Sequence, residues 1–238
     1  MKLGFLLGYS GKHIHIPIDL IQQAESMGYD SVWTAEAYGN DAVTSAAYVL
    51  AQTSKIRVGT AIMQMPARTP AMCAMTAMSL DQLSGGRFIV GLGASGPQVV
   101  EGWHGVPYGK PVTRTKEYIQ IMRKIFEREG PVEFDGQIYQ MPNQSEGTTG
   151  LGKPLKSILA AASDIPIYTA SITPAGLRCA GEVADGVFPV WMDPNKYDVL
   201  GESIEQGFDK AGNGKSLKEF DVAPFVTVAM NDDLDAAY

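Results

Sequence analysis

Cysteine and histidine are scarce in this sequence. Cys73 and Cys179 are the only cysteines among 238 residues, and their separation matches neither a disulfide framework nor a zinc site. We therefore interpret both as buried free thiols. Of three histidines, His13 and His15 have no Cys or carboxylate neighbours at the spacing of metal ligands. We expect no metal site.

Basic residues are also fewer than acidic residues. The 19 Lys and Arg residues are outnumbered by 26 Asp and Glu residues, which gives a net charge of −7. A nucleic-acid-binding protein normally carries a basic face, and an anionic membrane attracts basic segments, so we expect neither partner. No apolar stretch approaches the roughly 18 residues of a membrane span, and the apolar run near the first residue is too short for a signal peptide. These features predict a cytoplasmic protein.

Several catalytic motifs are missing as well. The sequence contains no Gly-x-Ser-x-Gly elbow, no P-loop and no His-Glu-x-x-His segment. A dinucleotide fingerprint would place its glycines after the first strand, where Gly8-Tyr9-Ser10-Gly11 does not match. The enzyme classes that depend on these motifs are therefore not indicated.

Short apolar strands alternate with helical patterns along the chain. Strands without polar interruption are typical of a parallel sheet that is buried on both faces, in a closed barrel or an open doubly wound sheet. The count favours an α/β fold of the TIM-type (β/α)8 barrel class, as a single domain over residues 1–238 with an insertion at about 97–163 after strand 4. The predicted strands are 3–7, 31–34, 57–63, 88–92, 165–170, 186–190 and 225–230, and the predicted helices are 17–27 (begun by Pro17), 44–53 (capped by Thr44), 69–84, 113–129, 173–184, 198–211 and a start at 232–238.

This assignment leaves the barrel incomplete at the C-terminus, with its last helix and eighth strand missing. A parallel barrel without its eighth strand would expose unpaired backbone groups at an edge. Two explanations stay open: the chain is a truncated product, or a partner chain closes the edge. The second predicts a homo-oligomer.

Candidate site residues follow the strands at their carboxyl ends. Glu36 is a candidate acid or base, with a helix-capping or ion-paired carboxylate as the alternative. His104, beside Trp103 in a loop, is a candidate proton donor, with a packed surface loop as the alternative. The glycine-rich turn 93–96 allows a ligand close to the backbone, and Thr173 begins a helix that suits an anion or is simply capped there.

Four parts of the sequence together resemble one family. One is the apolar start at residues 3–7, which fits the first strand of that family, and the other three are longer segments. AESMGYDSVWTAEAY, VGTAIMQMPARTPAMCAMTAMSLDQLSGGRFIVGLGASG and PIYTASITPAGLRCAGEVADGVFP are similar to the luciferase-like monooxygenase superfamily, in particular to its branch that uses the deazaflavin coenzyme F420. The resemblance covers nearly the whole chain. It implies a TIM-type barrel with an insertion after the fourth strand and a cofactor ring at the carboxyl face.

The resemblance also implies roles for individual residues. A non-proline cis peptide between Ala61 and Ile62 would back the cofactor ring. Ala94 and Ser95 would approach the ring or its tail. The cofactor phosphate would lie on the backbone around Ser171, Ile172 and Thr173.

The sequence departs from the family pattern in the turn after the fourth strand. Some coenzyme F420-dependent dehydrogenases carry a catalytic Glu there, whereas this chain has Ala94-Ser95-Gly96-Pro97. This argues against a sugar-phosphate dehydrogenase. Many relatives also have a His where this chain has Ala37.

The predicted function is a coenzyme F420-dependent oxidoreductase that transfers a hydride between the deazaflavin and an organic substrate, in the manner of methylenetetrahydromethanopterin reductase or a related enzyme. Glu36 and His104 are the candidates for proton handling. One alternative is an FMN-dependent luciferase-like monooxygenase. Another is a non-catalytic flavin-binding protein or a truncated fragment.

Overall fold

A curled parallel sheet forms the centre of the molecule. The computed structural model describes residues 2–190 and 192–232, and each strand in the order below pairs in parallel with the next. The short strand β4 pairs with β5 beside this order. The order runs through β1 (Gly4–Leu6), β2 (Ser31–Thr34), β3 (Arg57–Thr60), β5 (Phe88–Gly93), β8 (Ile167–Ala170), β9 (Gly186–Phe188) and β10 (Asp221–Val222), with β4 at Met63–Gln64.

Helices connect the strands and cover the outside of the sheet. The segment between β5 and β8 also holds the antiparallel hairpin β6 (Phe134–Asp135) and β7 (Gln140–Met141). The alternation of strands and helices confirms the predicted fold class. The helices are α1 (Ile18–Ser26), α2 (Ala42–Gln52), α3 (Pro70–Ser84), α4 (Pro97–Gly102), α5 (Pro111–Glu127), α6 (Pro174–Val183) and α7 (Asp198–Ala211).

Local sequence signals fix several helix ends. The Thr69 side chain accepts a hydrogen bond from the Met72 N–H at the start of α3, and Gly85 ends that helix in the left-handed conformation. At α2 the predicted cap, Thr44, is wrong. Asp41 is the N-cap, because its carboxylate accepts from the Thr44 N–H at 2.6 Å, which places Thr44 inside the helix.

Side chains alternate across the strands and so form two apolar layers. An aromatic cluster fills the inside of the curled sheet, where the Trp33 and Phe188 rings lie 5.0 Å apart and the Tyr168 and Phe188 rings 5.5 Å apart. The larger layer lies between the sheet and the helices and contains Ile167, the neighbour of Tyr168 in β8. The sheet is therefore packed on both faces.

The predicted strand at residues 225–230 is wrong. The last strand of the sheet among the described residues is β10, and the Ala223 N–H donates its final ladder bond to the Val187 carbonyl at 2.9 Å. Beyond it, Phe225 stacks on Phe188 at 5.4 Å, while Val226 and Val228 are exposed. Apolar character alone thus misplaced this strand. The predicted helix at 232–238 lies outside the described residues, except for Asp232.

The two ends of the strand order approach each other. The Lys2 ammonium, just before β1, lies 3.2 Å from the Asp221 carboxylate of β10. Within the part of the chain that the structure describes, no ladder joins these two strands. The curvature brings the carboxyl ends of the strands together at one face.

The predicted insertion contains elements of two kinds. Helix α5 packs against α3 and α6 in the outer layer of helices. Helix α4 precedes it, and the hairpin and a polar loop follow it. The limits of the insertion, 97–163, and the single domain over 1–238 stay predictions.

Candidate functional site

A cavity of about 510 Å³ opens at the carboxyl ends of the strands. This volume lies in the range of small-molecule and cofactor sites, which is roughly 300–1,000 Å³. Helices α5 and α6 contribute to its wall through Val112, Thr115, Gly176 and Cys179. The predicted site residues that line it are Glu36, Ile62, Ala94, Ser95, Ser171, Ile172 and Thr173.

In one wall of the cavity, the backbone of β5 lies very close to the segment 60–62. A cis peptide joins Ala61 and Ile62, as the resemblance implied. A Cβ at Gly93 would lie 2.6 Å from Ile62 Cδ1, and a Cβ at Gly91 would lie 1.6 Å from the Thr60 carbonyl oxygen. Glycine at these two positions therefore lets β5 approach the 60–62 segment and keeps the wall thin. Ala61 itself is not among the lining residues.

The turn after β5 adopts an unusual backbone conformation. Ser95 has φ 60°, in the left-handed region that non-glycine residues rarely occupy. Both Ala94 and Ser95 are half-buried and line the cavity. The turn then leads into α4 through Gly96 and Pro97. An uncommon conformation in a cavity wall points to a functional constraint on this turn.

The start of α6 forms a concave polar surface. The Thr173 hydroxyl accepts from the Gly176 N–H at 3.1 Å, so the capping role that the sequence left open is present. A Cβ at Gly176 would lie 3.1 Å from the hydroxyl oxygens of both Ser171 and Thr173. Two hydroxyls and a helix N-terminus thus line this part of the cavity, an arrangement that suits an anion. Binding of a phosphate there stays a prediction.

Glu36 lies at the cavity in an ion pair. Its side chain is 6% exposed, and the Arg68 guanidinium binds it in a bidentate manner at 2.5 and 3.0 Å. The N–H groups of Ala42 and Gln64 donate to the same carboxylate at 3.0 and 2.7 Å. The structure therefore shows the ion-paired arrangement that the sequence left open. Its role as an acid or base stays a prediction.

Arg68 carries the matching charge. Burial lowers the pKa of its guanidinium, but the hydrogen bonds and attraction from Glu36, together with Asp41, outweigh this effect and leave the pKa raised. A second ion pair joins Arg68 to Asp41, the N-cap of α2. The pair therefore links the end of β2, the start of α2 and the segment before α3.

His104 is not among the residues that line the cavity. Its Nε2 is 3.3 Å from the Gln64 amide oxygen, and the Gln64 amide nitrogen donates to the Ala37 carbonyl at 2.6 Å. With the amide in this orientation, His104 Nε2 is the donor. Because the Gln64 N–H also binds Glu36, Gln64 connects the two residues predicted to handle protons. The proton-donating role of His104 stays a prediction.

The sequence reasoning missed three residues of this region. Arg68 and Gln64 hold Glu36, and Arg68 is the sole basic residue in the apolar stretch from 60 to 86. That isolated cation was a usable signal for a partner of Glu36. Thr169 lines the cavity with a buried hydroxyl that has no hydrogen-bond partner in the described structure. Nothing in its sequence context marks it.

Further observations concern the state of the two cysteines, possible metal ligands and possible membrane spans. Both cysteines are free and buried, as predicted, and burial raises the pKa of the Cys179 thiol to about 11. Across residues 2–190 and 192–232, no group of three or more His, Cys, Asp or Glu side chains is arranged to hold a metal ion. The helices in these same ranges are all too short or too polar to cross a membrane.

The curled parallel sheet and the cavity at its carboxyl face are the features of an α/β-barrel enzyme, because such enzymes have their active sites at that face. Comparison with known proteins identifies the family. Residues 4–238 match the luciferase-like monooxygenase family, and the chain belongs to it.

Three relatives indicate the branch of the family. A Mycobacterium tuberculosis protein provisionally named a coenzyme F420-dependent oxidoreductase is 44% identical over 240 residues, which cover 100% of this chain and 69% of that protein. The 5,10-methylenetetrahydromethanopterin reductase of Archaeoglobus fulgidus is 31% identical, over 91% of this chain and 61% of the reductase. The solved structure of the coenzyme F420-dependent tetrahydromethanopterin reductase of Methanopyrus kandleri has a TM-score of 0.82 and 27% identity, over 99% of this chain and 68% of that one. The chain thus spans about two thirds of the length of these relatives. The resemblance seen in the sequence is confirmed.

Proposed function

We propose that this protein is an oxidoreductase that binds coenzyme F420 and transfers a hydride between the deazaflavin and an organic substrate. The observation that carries the proposal is the cavity of about 510 Å³, which joins a thin backbone wall at Ile62 and Gly93 to the polar cradle at the start of α6. A flat ring and an anionic tail are the two parts of such a cofactor. The cavity offers a surface for each.

The residues present fit this group. The cradle at Ser171, Thr173 and Gly176 would hold the phosphate, since a side chain at Gly176 would fill the space that the two hydroxyls surround. The wall at Ile62 and Gly93 would support the ring. The bound deazaflavin would supply the hydride chemistry, and the protein would supply orientation and exclusion of water.

The relatives support this choice of cofactor and suggest a substrate class. One is named as a 5,10-methylenetetrahydromethanopterin reductase, one as a coenzyme F420-dependent tetrahydromethanopterin reductase, and one as a coenzyme F420-dependent oxidoreductase. We propose a substrate of related type, a small organic molecule that accepts or donates a hydride at carbon. Since the chain spans about two thirds of these relatives, their whole-protein activity is a proposal for it.

A second candidate is a monooxygenase that uses reduced FMN and oxygen. The name of the family supports it, and the cradle at α6 would accept the FMN phosphate equally well. The two candidates differ in the ring that the wall must accept. Binding measurements with both cofactors separate them.

Two further proposals concern the setting of the protein. Met72 and Met75 on α3 are 53% and 54% exposed, and Leu83 on the same helix is 85% exposed. We propose that such apolar side chains take part in a homo-oligomer, which light scattering after size-exclusion chromatography would detect as a multiple of the 25.6 kDa chain.

We also propose a cytoplasmic location, which the two free thiols support.

The cofactor assignment is tested by fluorescence titration with coenzyme F420 and, separately, with FMN. We expect coenzyme F420 to bind more tightly than FMN. Binding of FMN alone would replace the first candidate by the second. Binding of neither would contradict both and support a non-catalytic protein or a fragment.

The cradle is tested by a matched pair of variants, Gly176→Asp and Gly176→Asn. The two side chains have the same shape and differ in charge. A negative charge near the start of α6 favours the helix but repels a phosphate. We therefore expect the Asp variant to bind coenzyme F420 at least tenfold more weakly than the Asn variant, on the order of 1.4 kcal/mol. Equal affinities would contradict the phosphate assignment.

A further inference from the structure

Thr169 in β8 carries a polar group that the fold does not use. Its side chain is 1% exposed, and the Oγ1 atom has no hydrogen-bond partner among the described residues. Buried hydroxyls are normally paired, because an unpaired one loses its bonds to water without replacement. Two neighbouring hydroxyls of the cavity are used within the protein, since Thr115 donates to the Pro111 carbonyl and Thr173 accepts from Gly176.

The direction of the Thr169 side chain follows from its strand. Tyr168 belongs to the aromatic cluster inside the curled sheet, and Ile167 belongs to the layer beneath the helices. Because side chains alternate along a strand, Thr169 lies on the side of Ile167, toward the helices. Val112 of α5 and Cys179 of α6 line the cavity from that side.

The surroundings of Thr169 in the cavity are largely apolar. Leu92 and Met65 line the cavity and belong to the same apolar layer as Ile167. The Cys179 thiol interacts with the Val112 carbonyl at 3.8 Å. A ligand group that enters this part of the cavity therefore meets apolar walls and the unpaired hydroxyl of Thr169.

We propose that Thr169 hydrogen-bonds a hydroxyl of the cofactor's polyol chain, next to its phosphate. This inference rests on the proposed function. Thr169 precedes Ser171 of the cradle by two residues, which along a strand corresponds to about 7 Å. Coenzyme F420 and FMN both carry a chain of hydroxyl-bearing carbons between ring and phosphate, and that chain spans a comparable length.

The test compares Thr169→Val with Thr169→Ser in the full chain. Valine keeps the shape and removes the hydroxyl, whereas serine keeps it. The probe is coenzyme F420, or FMN if only FMN binds the wild type. We expect valine to weaken binding about 5- to 10-fold in a fluorescence titration, and serine to restore most of the affinity.

Thermal unfolding without cofactor gives an independent readout. Since valine removes an unpaired buried hydroxyl, we expect its Tm to equal or exceed that of the wild type. The contrasting control is Thr60→Val, because the Thr60 hydroxyl donates to the Gly91 carbonyl at 2.8 Å and accepts from the Gly91 N–H at 2.9 Å. That variant should unfold at a lower temperature.

Three results would overturn the inference. Unchanged cofactor affinity in Thr169→Val, with wild-type binding intact, would show that the hydroxyl contacts no bound cofactor. The proposed function would still stand in that case. A change in the absorption spectrum of the bound cofactor would place the contact on the ring instead of the chain. Absence of wild-type binding to either cofactor would remove the proposed function and this inference together.

Discussion

The Glu36 carboxylate receives four hydrogen bonds at the edge of the cavity, two from Arg68 and one each from the N–H groups of Ala42 and Gln64. Both oxygens are therefore occupied. To accept a proton from a ligand, Glu36 would have to give up part of its bidentate pair with a nearly buried guanidinium. The geometry favours a role in positioning the segment from Gln64 to Arg68 against α2.

The first prediction concerns this pair. Glu36→Gln leaves Arg68 with Asp41 as its remaining carboxylate partner. Breaking a buried ion pair typically costs about 3–5 kcal/mol, and the retained Asp41 contact places this variant at the lower end. We expect the variant to lose about 3 kcal/mol of unfolding free energy in urea denaturation. The control is Asp30→Asn, which breaks the more exposed pair with Arg57, where about 1 kcal/mol is expected. Equal losses in the two variants would contradict a structural role for Glu36.

The sequence identified the strand ends as the site because parallel strands bring their carboxyl ends to one face. That rule was enough to find Ser95 and Thr173, which line the cavity. It did not find Gln64, because an uncharged side chain gives no signal until its neighbours in space are known. His104, chosen for its chemistry, contacts Gln64 and not the cavity.

Helices α6 and α7 pack with unusually close backbones. A Cβ at Gly181 would lie 2.3 Å from the Ile204 carbonyl oxygen, and a Cβ at Gly207 would lie 2.3 Å from the Arg178 carbonyl oxygen. Both contacts are with backbone, which cannot move aside as a side chain can. The two glycines therefore set the distance between α7 and the helix that begins at the proposed phosphate cradle.

The second prediction concerns this crossing. Alanine favours a helix over glycine by about 1 kcal/mol, so Gly207→Ala would stabilise an isolated helix. Here the added methyl group forces α6 and α7 apart, and overpacking typically costs about 1–3 kcal/mol. We expect a net loss of unfolding free energy in denaturant titrations. In the control Gly102→Ala, at the last residue of α4, no atom lies within 4 Å of the new Cβ, and stability should stay level or rise by up to about 1 kcal/mol. A gain in Gly207→Ala would refute the close-packing argument.

The boundaries of helices could be predicted where a capping residue in the sequence determines them. The two ends of α3 are marked by Thr69 and Gly85, and the start of α6 is marked by Thr173 and Pro174. These caps depend on residues adjacent in the sequence and not on tertiary contacts. The strand predicted at 225–230 failed because pairing, and not apolar composition, determines where a strand lies. Its residues find no ladder partner in the described part of the sheet, whereas Asp221–Val222 pairs with β9.

The whole molecule has two unlike faces. The carboxyl face holds the cavity with its apolar wall. At the amino ends of the strands lies a smaller cleft of about 230 Å³, lined by charged residues that include Arg57, Arg123, Asp185 and Asp221. In barrels, the amino face typically serves stability and the carboxyl face function. The contact between Lys2 and Asp221, which joins the two ends of the strand order, belongs to the stabilising face.

This division leads to a prediction about pH. Burial raises the pKa of Asp221, but hydrogen bonds from Tyr168 and Lys2 outweigh that effect and leave it below its ordinary 3.8. A carboxylate with a lowered pKa stabilises the folded state above about pH 4, and that stabilisation is lost as the pH falls through the folded pKa. We expect Tm to fall on acidification from about pH 5 to about pH 3, and Asp221→Asn to show a weaker dependence over that range.

The matched control for this experiment is Glu146→Gln, at an exposed position in the polar loop. Its pH profile should follow that of the wild type. Because Asp221 lies opposite Lys2 across the open ends of the sheet, a flatter profile in Asp221→Asn alone would assign acid sensitivity to the contact that holds the curled sheet together. Parallel profiles in all three proteins would instead place that sensitivity in other carboxylates with lowered pKa values, such as Glu182, which bonds to Lys116 and Lys210.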